Sequence, residues 1–266
     1  MFEFVDDSFT RENSFENILS IQLGLNGFSF CIRAGNGHLL YLKQLEVSIS
    51  NEHLLARHFE DWCNEEELLL LPYREKQIYY IGNRFSLVPE QLESGTVNAD
   101  IRQLLLAANT DEEYAENWIE EIEAKLLFML PKHLNSVLQD NLGDHRVIHL
   151  MQKLIALTAA ESHDNMLLLY FNDKDLFFLL RENKQLKLCN VFRIQHENDA
   201  VYYVLAACRQ LQVAAKSCAL SIAGKSVFRE KTMKHLSVHF SSVEPFVFTH
   251  QPPFSKTDIS ELICLL

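Results

Sequence analysis

The sequence predicts an α/β protein with mixed sheets, in which a βββαβα unit is used twice to build two lobes. Three observations carry that expectation. The stretch Asn17 to Val47 has apolar positions broken by Asn26-Gly27 and Gly35-Asn36-Gly37, the punctuation of three short strands joined by tight turns. Asn165 to Ile194 repeats the shape 148 positions later. After each triplet, strand patterns alternate with helical ones, which requires crossover connections and parallel pairing.

Taken in order, residues 1–16 read as an N-terminal extension, 17–162 as the first lobe with an insertion around 85–123, and 163–266 as the second lobe. Asn51 is placed to cap a helix running to about Glu66, with Leu54, Leu55, Phe59 and Trp62 on one face. Glu65-Glu66-Glu67 then reads as a solvated helix end in preference to a cation site. Pro72 closes that segment, and Gln77 to Ile81 reads as a strand. Thr110-Asp111-Glu112-Glu113 has the spacing of a capping box, predicting a helix with Tyr114, Trp118, Ile119 and Ile122 along one stripe. Leu126 to Leu130 is a short apolar strand ended by Pro131. A helix follows through Leu134, Val137 and Leu138 to Gly143, and a second, capped by Asp144, through Val147, Ile148, Met151, Leu154 and Ile155.

Ser162 to Asn165 is the polar joint before the second copy. Behind its three strands, Asn198 or Asp199 is expected to cap a long helix with Val201, Val204, Leu205, Cys208 and Leu211 inward. Next come a strand at Cys218 to Ala223 ending in Gly224, a helix over about Val227 to His235, a strand at Ser237 to Phe240, and a terminal helix from Ser255.

Composition narrows the function. Apolar residues make up 48% of the chain, with 18 Phe, enough for substantial cores. With 36 acidic against 24 basic residues, the formal charge is −12 and no basic cluster emerges, so a nucleic-acid partner is not expected. The acidic amino terminus lacks the basic and apolar regions of a secretory leader, and no apolar run reaches the ~20 residues of a spanning helix, so no membrane insertion is expected. The six cysteines form no C-x-x-C pair and read as buried free thiols of a cytoplasmic protein.

His145 and His149, at i and i+4, have the spacing of metal ligands, but no third ligand is identifiable nearby and the structural reading is preferred. No nucleophile elbow, Walker loop, dinucleotide fingerprint or zinc-protease motif is present. A triad assembled only in space remains open, as does a small-molecule enzyme using a cleft.

The chain resembles the actin-like ATPases, a ribonuclease H-like architecture, and more narrowly a bacterial family of unknown function assigned that fold. The residues that carry the resemblance are the two openings, Asn17 to Arg33 and Asn165 to Arg181, which align without a gap and share Asn17/Asn165, Leu19/Leu167, Phe30/Phe178 and Arg33/Arg181. Ser86-Leu87-Val88-Pro89 with Leu92, and Leu220 to Ser226, add to it. The resemblance implies a phosphate turn after the first strand of each half, reading Asp-x-Gly-Thr/Ser and Asp-x-Gly-Gly-Gly-Thr in active members. There, glycines admit phosphates to backbone amides and carboxylates organise hydrated magnesium.

This chain departs from both patterns. Gln22-Leu23-Gly24-Leu25-Asn26 keeps a glycine but not the carboxylate. Tyr170-Phe171-Asn172-Asp173-Lys174 has no glycine and places an aromatic where the acid belongs. The expectation is a non-catalytic scaffold or protein-interaction protein with an unidentified protein partner, no catalytic residue, no metal and no cofactor. The alternative is a nucleotide switch or weak ATPase, in which Gly24, Asn26, Asn172, Asp173, Lys174 and Gly224 would meet ATP and magnesium.

Overall fold

The computed structural model describes residues 2–92, 102–104, 106–107, 109–246 and 260–266. The chain divides into two compact units, Met1–Gln152 with Leu265, and Lys153–Cys264 with Leu266. In chain order the first contains β1 (Phe2–Val5), β2 (Ile18–Gly24), β3 (Gly27–Arg33), β4 (Leu39–Glu46), α1 (Glu52–Glu65), β5 (Glu75–Tyr80), β6 (Phe85–Pro89), β7 (Glu112–Ile119), β8 (Ala124–Pro131), α2 (Lys132–Leu142), β9 (Arg146–His149) and the start of α3 (Leu150–Ala160). The second contains β10 (Met166–Asn172), β11 (Asp175–Glu182), β12 (Gln185–Arg193), α4 (Glu197–Gln210), β13 (Ala219–Lys225), α5 (Arg229–Leu236) and β14 (Ser242–Pro245).

The main sheet of the first unit is ordered β1-β4-β3-β2-β5-β9, and that of the second β12-β11-β10-β13-β14. From β4 and β12 onward the two run alike: two antiparallel pairings, then two parallel ones. The agreement extends to register, since the ladder shifts between Ile32 and Arg33 in one sheet and between Leu180 and Arg181 in the other. The backbone at the two shared asparagine positions makes matching contacts in this frame. Asn17 O accepts the Arg74 amide at 2.9 Å and Asn165 O the Ala219 amide at 3.1 Å, each fastening the first parallel neighbour to the start of the first strand.

β2 and β10 lie inside their sheets and are buried along nearly their whole length, which is why both read as near-continuous apolar runs. In the first unit Leu19, Ile21, Phe28 and Phe30 meet Phe59 and Trp62 of α1, with Phe28 stacked on Trp62 at 5.2 Å. α2 packs beside α1. In the second, Leu167, Leu169, Phe178 and Leu180 meet Val204 and Cys208 of α4, which packs against α5. Asn51 caps α1 as expected, its Oδ1 accepting the Leu54 amide at 3.1 Å.

Several expectations are corrected. Thr110 does not open a helix. The residues that follow it form β7, which pairs with β8 along its full length and joins β6 in a separate three-stranded sheet. Tyr, Trp and Ile suit a strand, and the buried ladder of β8 outweighs a four-residue cap signal. Val147 and Ile148 belong to β9, parallel to β5, and the helix begins only at Leu150, so Asp144 is not its cap.

The N-cap of α4 is His196 rather than Asn198 or Asp199. Its Nδ1 accepts the Asn198 amide at 3.2 Å, while Asp199 reaches back to the Gln195 and His196 amides at 2.8 and 2.9 Å. Ser237 to Phe240 is a turn bonded back to α5, and the strand starts at Ser242. Of the terminal helix expected from Ser255, residues 255–259 lie outside the described residues and Ser260–Leu262 is a short 3-10 turn. Glu66 is no solvated end: it is buried and ion-paired with Lys43, while Glu67 pairs with Arg11 at 3.0 Å.

Candidate functional site

Ligands of open α/β sheets gather at the carboxyl ends of parallel strands, so the places to inspect are the ends of β2, β5 and β9 in the first unit and of β10 and β13 in the second.

In the first unit, β2 and β3 are joined by the two residues Leu25 and Asn26. Leu23 O accepts the Ile81 amide at 2.9 Å and Leu25 O the Ile49 amide at 2.8 Å, so the turn is stitched to the end of β5 and to the segment leaving β4. Gly24 packs closely in the same place, where a Cβ would lie 3.3 Å from Ile81 Cβ. Gly27 adopts φ +127°, and a Cβ would come within 2.2 Å of Leu45 O. Asn26 is exposed, and Gln22, at the position of the resemblance's carboxylate, is buried.

At the ends of β5 and β9 lies a group of polar side chains that the sequence reading did not anticipate. The Tyr80 hydroxyl donates to Glu52 Oε1 at 3.3 Å. Burial, reinforced by the charge of Glu112, pushes the Glu52 carboxyl above its ordinary value. Glu112 moves the other way: burial opposes its charge, but Arg84 and the Asn109 amide together hold it low. No motif signals the pair, because Glu112 reaches this place only as part of a strand.

His149 ends β9 fully buried among Tyr80, Phe85 and Phe128. Its Nε2–H donates to Gly82 O at 2.9 Å and its Nδ1 accepts the Met151 amide at 3.1 Å, a pairing that only the neutral ring satisfies. Burial lowers its pKa to about 4. His145 instead donates to Gly143 O at 2.7 Å and shares no helix face with it. Asn117 of β7 braces β9, accepting the His149 amide at 2.8 Å and donating to Val147 O at 2.9 Å. Among the described residues no group of three or more His, Cys, Asp or Glu has the geometry to hold a metal ion.

In the second unit the turn between β10 and β11 is Asp173-Lys174, both exposed, with Asp173 at φ +53°. The Asp173 amide donates to Lys225 O at 3.0 Å and Lys174 O accepts the Ile194 amide at 2.8 Å. Asn172 and Asp175 face each other at the strand ends, and Asp175 is ion-paired with Arg193 at 3.0 Å. Tyr170 and Phe171 are almost wholly buried, and the Tyr170 hydroxyl donates to Glu261 O at 2.9 Å.

Gly224 sits at φ +82° against Phe171, where a Cβ would fall 2.0 Å from Phe171 O, and its amide donates to Ser260 Oγ at 3.1 Å. Gly24, Asn26 and Gln22 therefore share one end of the first sheet. Asn172, Asp173, Lys174 and Gly224 share the corresponding end of the second. A Cβ at Gly24 would crowd Ile81 and one at Gly224 would strike Phe171, the Gly224 amide is taken by Ser260, and the two strand positions where the resemblance places a carboxylate hold Gln22 and Tyr170. The residues present do not fit a magnesium-triphosphate clamp.

A solved Bacteroides thetaiotaomicron protein with an actin-like ATPase fold and unknown function is similar to this chain at 20% identity and TM-score 0.82, covering 96% of this chain and 98% of that one. A chain of the PilM–PilN type IV pilus biogenesis complex is similar at 12% identity and TM-score 0.51, with 88% of each chain covered. At these identities the likeness shows the fold, and that fold is the actin-like ATPase fold. A comparison with curated proteins finds no match. The family model for proteins of unknown function designated DUF3822 matches residues 6–243, and the chain belongs to that family.

Proposed function

We propose that this chain is a non-catalytic protein of the actin-like fold whose role is to hold a protein partner, working in the cytoplasm with its two lobes at 17–162 and 163–266. The observation that carries the reading is Tyr170. At the strand position where the resemblance calls for an acid, it is a buried aromatic whose hydroxyl is committed to Glu261 O. Gln22 at the matching position of the first unit agrees with it, as do two closely packed glycines. That a chain of the same fold is part of a PilM–PilN complex supports a role in assembly. That none of the six cysteines, all among the described residues, forms a disulfide supports a reducing compartment.

Thermal unfolding with millimolar MgATP, MgADP and MgGTP tests the reading. A nucleotide at 100 times its dissociation constant adds about 2.7 kcal/mol of stability. The expected result is no displacement of the transition and no phosphate release above background. A shift abolished by Gly24→Val or Asp173→Ala would replace this reading with the nucleotide-switch alternative, in which Asn26, Asn172, Lys174 and Gly224 also take part.

A further inference from the structure

The two main sheets differ at one edge. In the first unit β4 is an inner strand because β1 lies antiparallel beside it, pairing Phe2 with Gln44, Glu3 with Lys43, Phe4 with Leu42 and Val5 with Tyr41. The Asp6 amide extends the ladder onto Leu40 O at 2.9 Å. In the second unit β12 takes the place of β4, and among the described residues no strand pairs with its outer side. Because the two ladders share their register shift, Tyr41, Leu42, Lys43 and Gln44 correspond to Leu188, Cys189, Asn190 and Val191.

The chemistry of that edge is specific. Val191, the counterpart of the residue facing Phe2, donates its amide to the Oδ1 of Asn190 at 2.8 Å, a local bond that stands where an inter-strand bond would form. The net worth of such a local bond is small beside that of a strand ladder, so an incoming carbonyl can displace it. β12 contains no Asp or Glu and carries the exposed cations Lys187 and Arg193, each reaching a carboxylate of β11, Glu182 at 3.8 Å and Asp175 at 3.0 Å. In the strand that the chain itself lays on β4, Phe2-Glu3-Phe4-Val5, the acid lies between two aromatics opposite Lys43, with Glu3 accepting from the Tyr41 hydroxyl while Lys43 pairs with Glu66.

We infer that β12 is a docking edge onto which an extended, acidic and aromatic segment of a partner protein adds as an antiparallel strand opposite Leu188 to Val191. The inference rests on the partner-holding reading above and names where and how that partner binds.

Amide hydrogen exchange on the full chain tests it, with a synthetic peptide centred on Phe-Glu-Phe-Val as probe and a charge-reversed Phe-Lys-Phe-Val control. The acidic peptide is expected to slow exchange at Cys189 and Val191 by about tenfold or more at saturation, with weak or no effect from the control. Asn190→Ala is expected to tighten binding, and Val191→Pro to abolish it. Should Val191→Pro fail to fold, Leu188→Glu, which sets a like charge against the peptide, gives the same readout.

Unchanged exchange at Cys189 and Val191, equal effects of both peptides, protection on β4 instead, or self-association that protects β12 without peptide would each overturn the proposal. Failure of the underlying function reading has a separate signature: slower exchange at the Gly24 and Asp173 turns with MgATP alone.

Discussion

The first unit is the more elaborated of the two. It and the second share strand order, strand directions, a register shift and a buried Phe at the same place, Phe30 and Phe178. Yet the first adds β1 to its edge, inserts the β6-β8-β7 sheet and encloses a histidine, while the second adds none of these among the described residues. What is held in common is the ladder of apolar strands around β2 and β10; what differs lies at turns, edges and insertions. A sheet core is constrained by close packing on both faces, whereas a turn need only close the chain. Loss of the expected phosphate-turn residues is therefore compatible with an intact scaffold.

The strongest way to break the comparison is to remove the shared core residue from each side. Phe30→Ala and Phe178→Ala are both fully buried truncations, each expected to cost about 3–5 kcal/mol. Denaturant unfolding read by hydrogen exchange should show the loss confined to the unit carrying the substitution. A cost below about 1 kcal/mol for either would mean that the two positions do not do equivalent work.

Acid distinguishes the units next. His149 is neutral in the folded first unit with a pKa lowered to about 4, against an ordinary value near 6.5. The unfolded chain thus binds the extra proton first, and stability falls as pH drops from about 6.5 to about 4, levelling off below. The expected loss is about 3 kcal/mol at the bottom of that window. Among the described residues the second unit buries no histidine, so this loss is expected to register in the first unit. His149→Gln should flatten the first unit's pH profile while lowering its stability at neutral pH; a steep profile surviving in that variant would assign the acid sensitivity elsewhere.

The smallest expected effect concerns the two equivalent helices. Asn51→Ala removes the cap of α1 and His196→Ala that of α4, each expected to cost about 1 kcal/mol, measurable as a shift in denaturant midpoint. If His196→Ala costs as much as Asn51→Ala, the imidazole is an equally good cap. If it costs nothing, Asp199 alone secures the amides it already holds.

The capping sites also show where the sequence was legible. Asn51 could be read because its cap is a local, three-residue event, and the hairpins because Asn26-Gly27 and the repeated apolar runs are local signals. The helix expected at Thr110 failed because its fate depended on β8, a strand it meets only in the folded chain. The same applies to Val147 and Ile148, whose apolar spacing suits a helix until β5 offers them a parallel ladder. The glycines of the candidate site were visible as glycines, but not their surroundings: Ile81 beside Gly24 and Phe171 O beside Gly224 are contacts across the sheet.

By itself, then, the sequence determined the twofold βββαβα plan, the acidic character and the absent acids at positions 22 and 170, since these depend on composition, periodicity and neighbouring residues. Only the tertiary structure decided that β7 is a strand, that Glu52 and Glu112 come to the same end of the first sheet, that His149 is locked neutral, and that among the described residues β4 is covered while β12 is an edge. Those outcomes turn on tertiary context: β7 is held by the next strand and its sheet, and the Glu52, Glu112 and His149 contacts join groups far apart in the chain, so none of them leaves a mark on the local pattern.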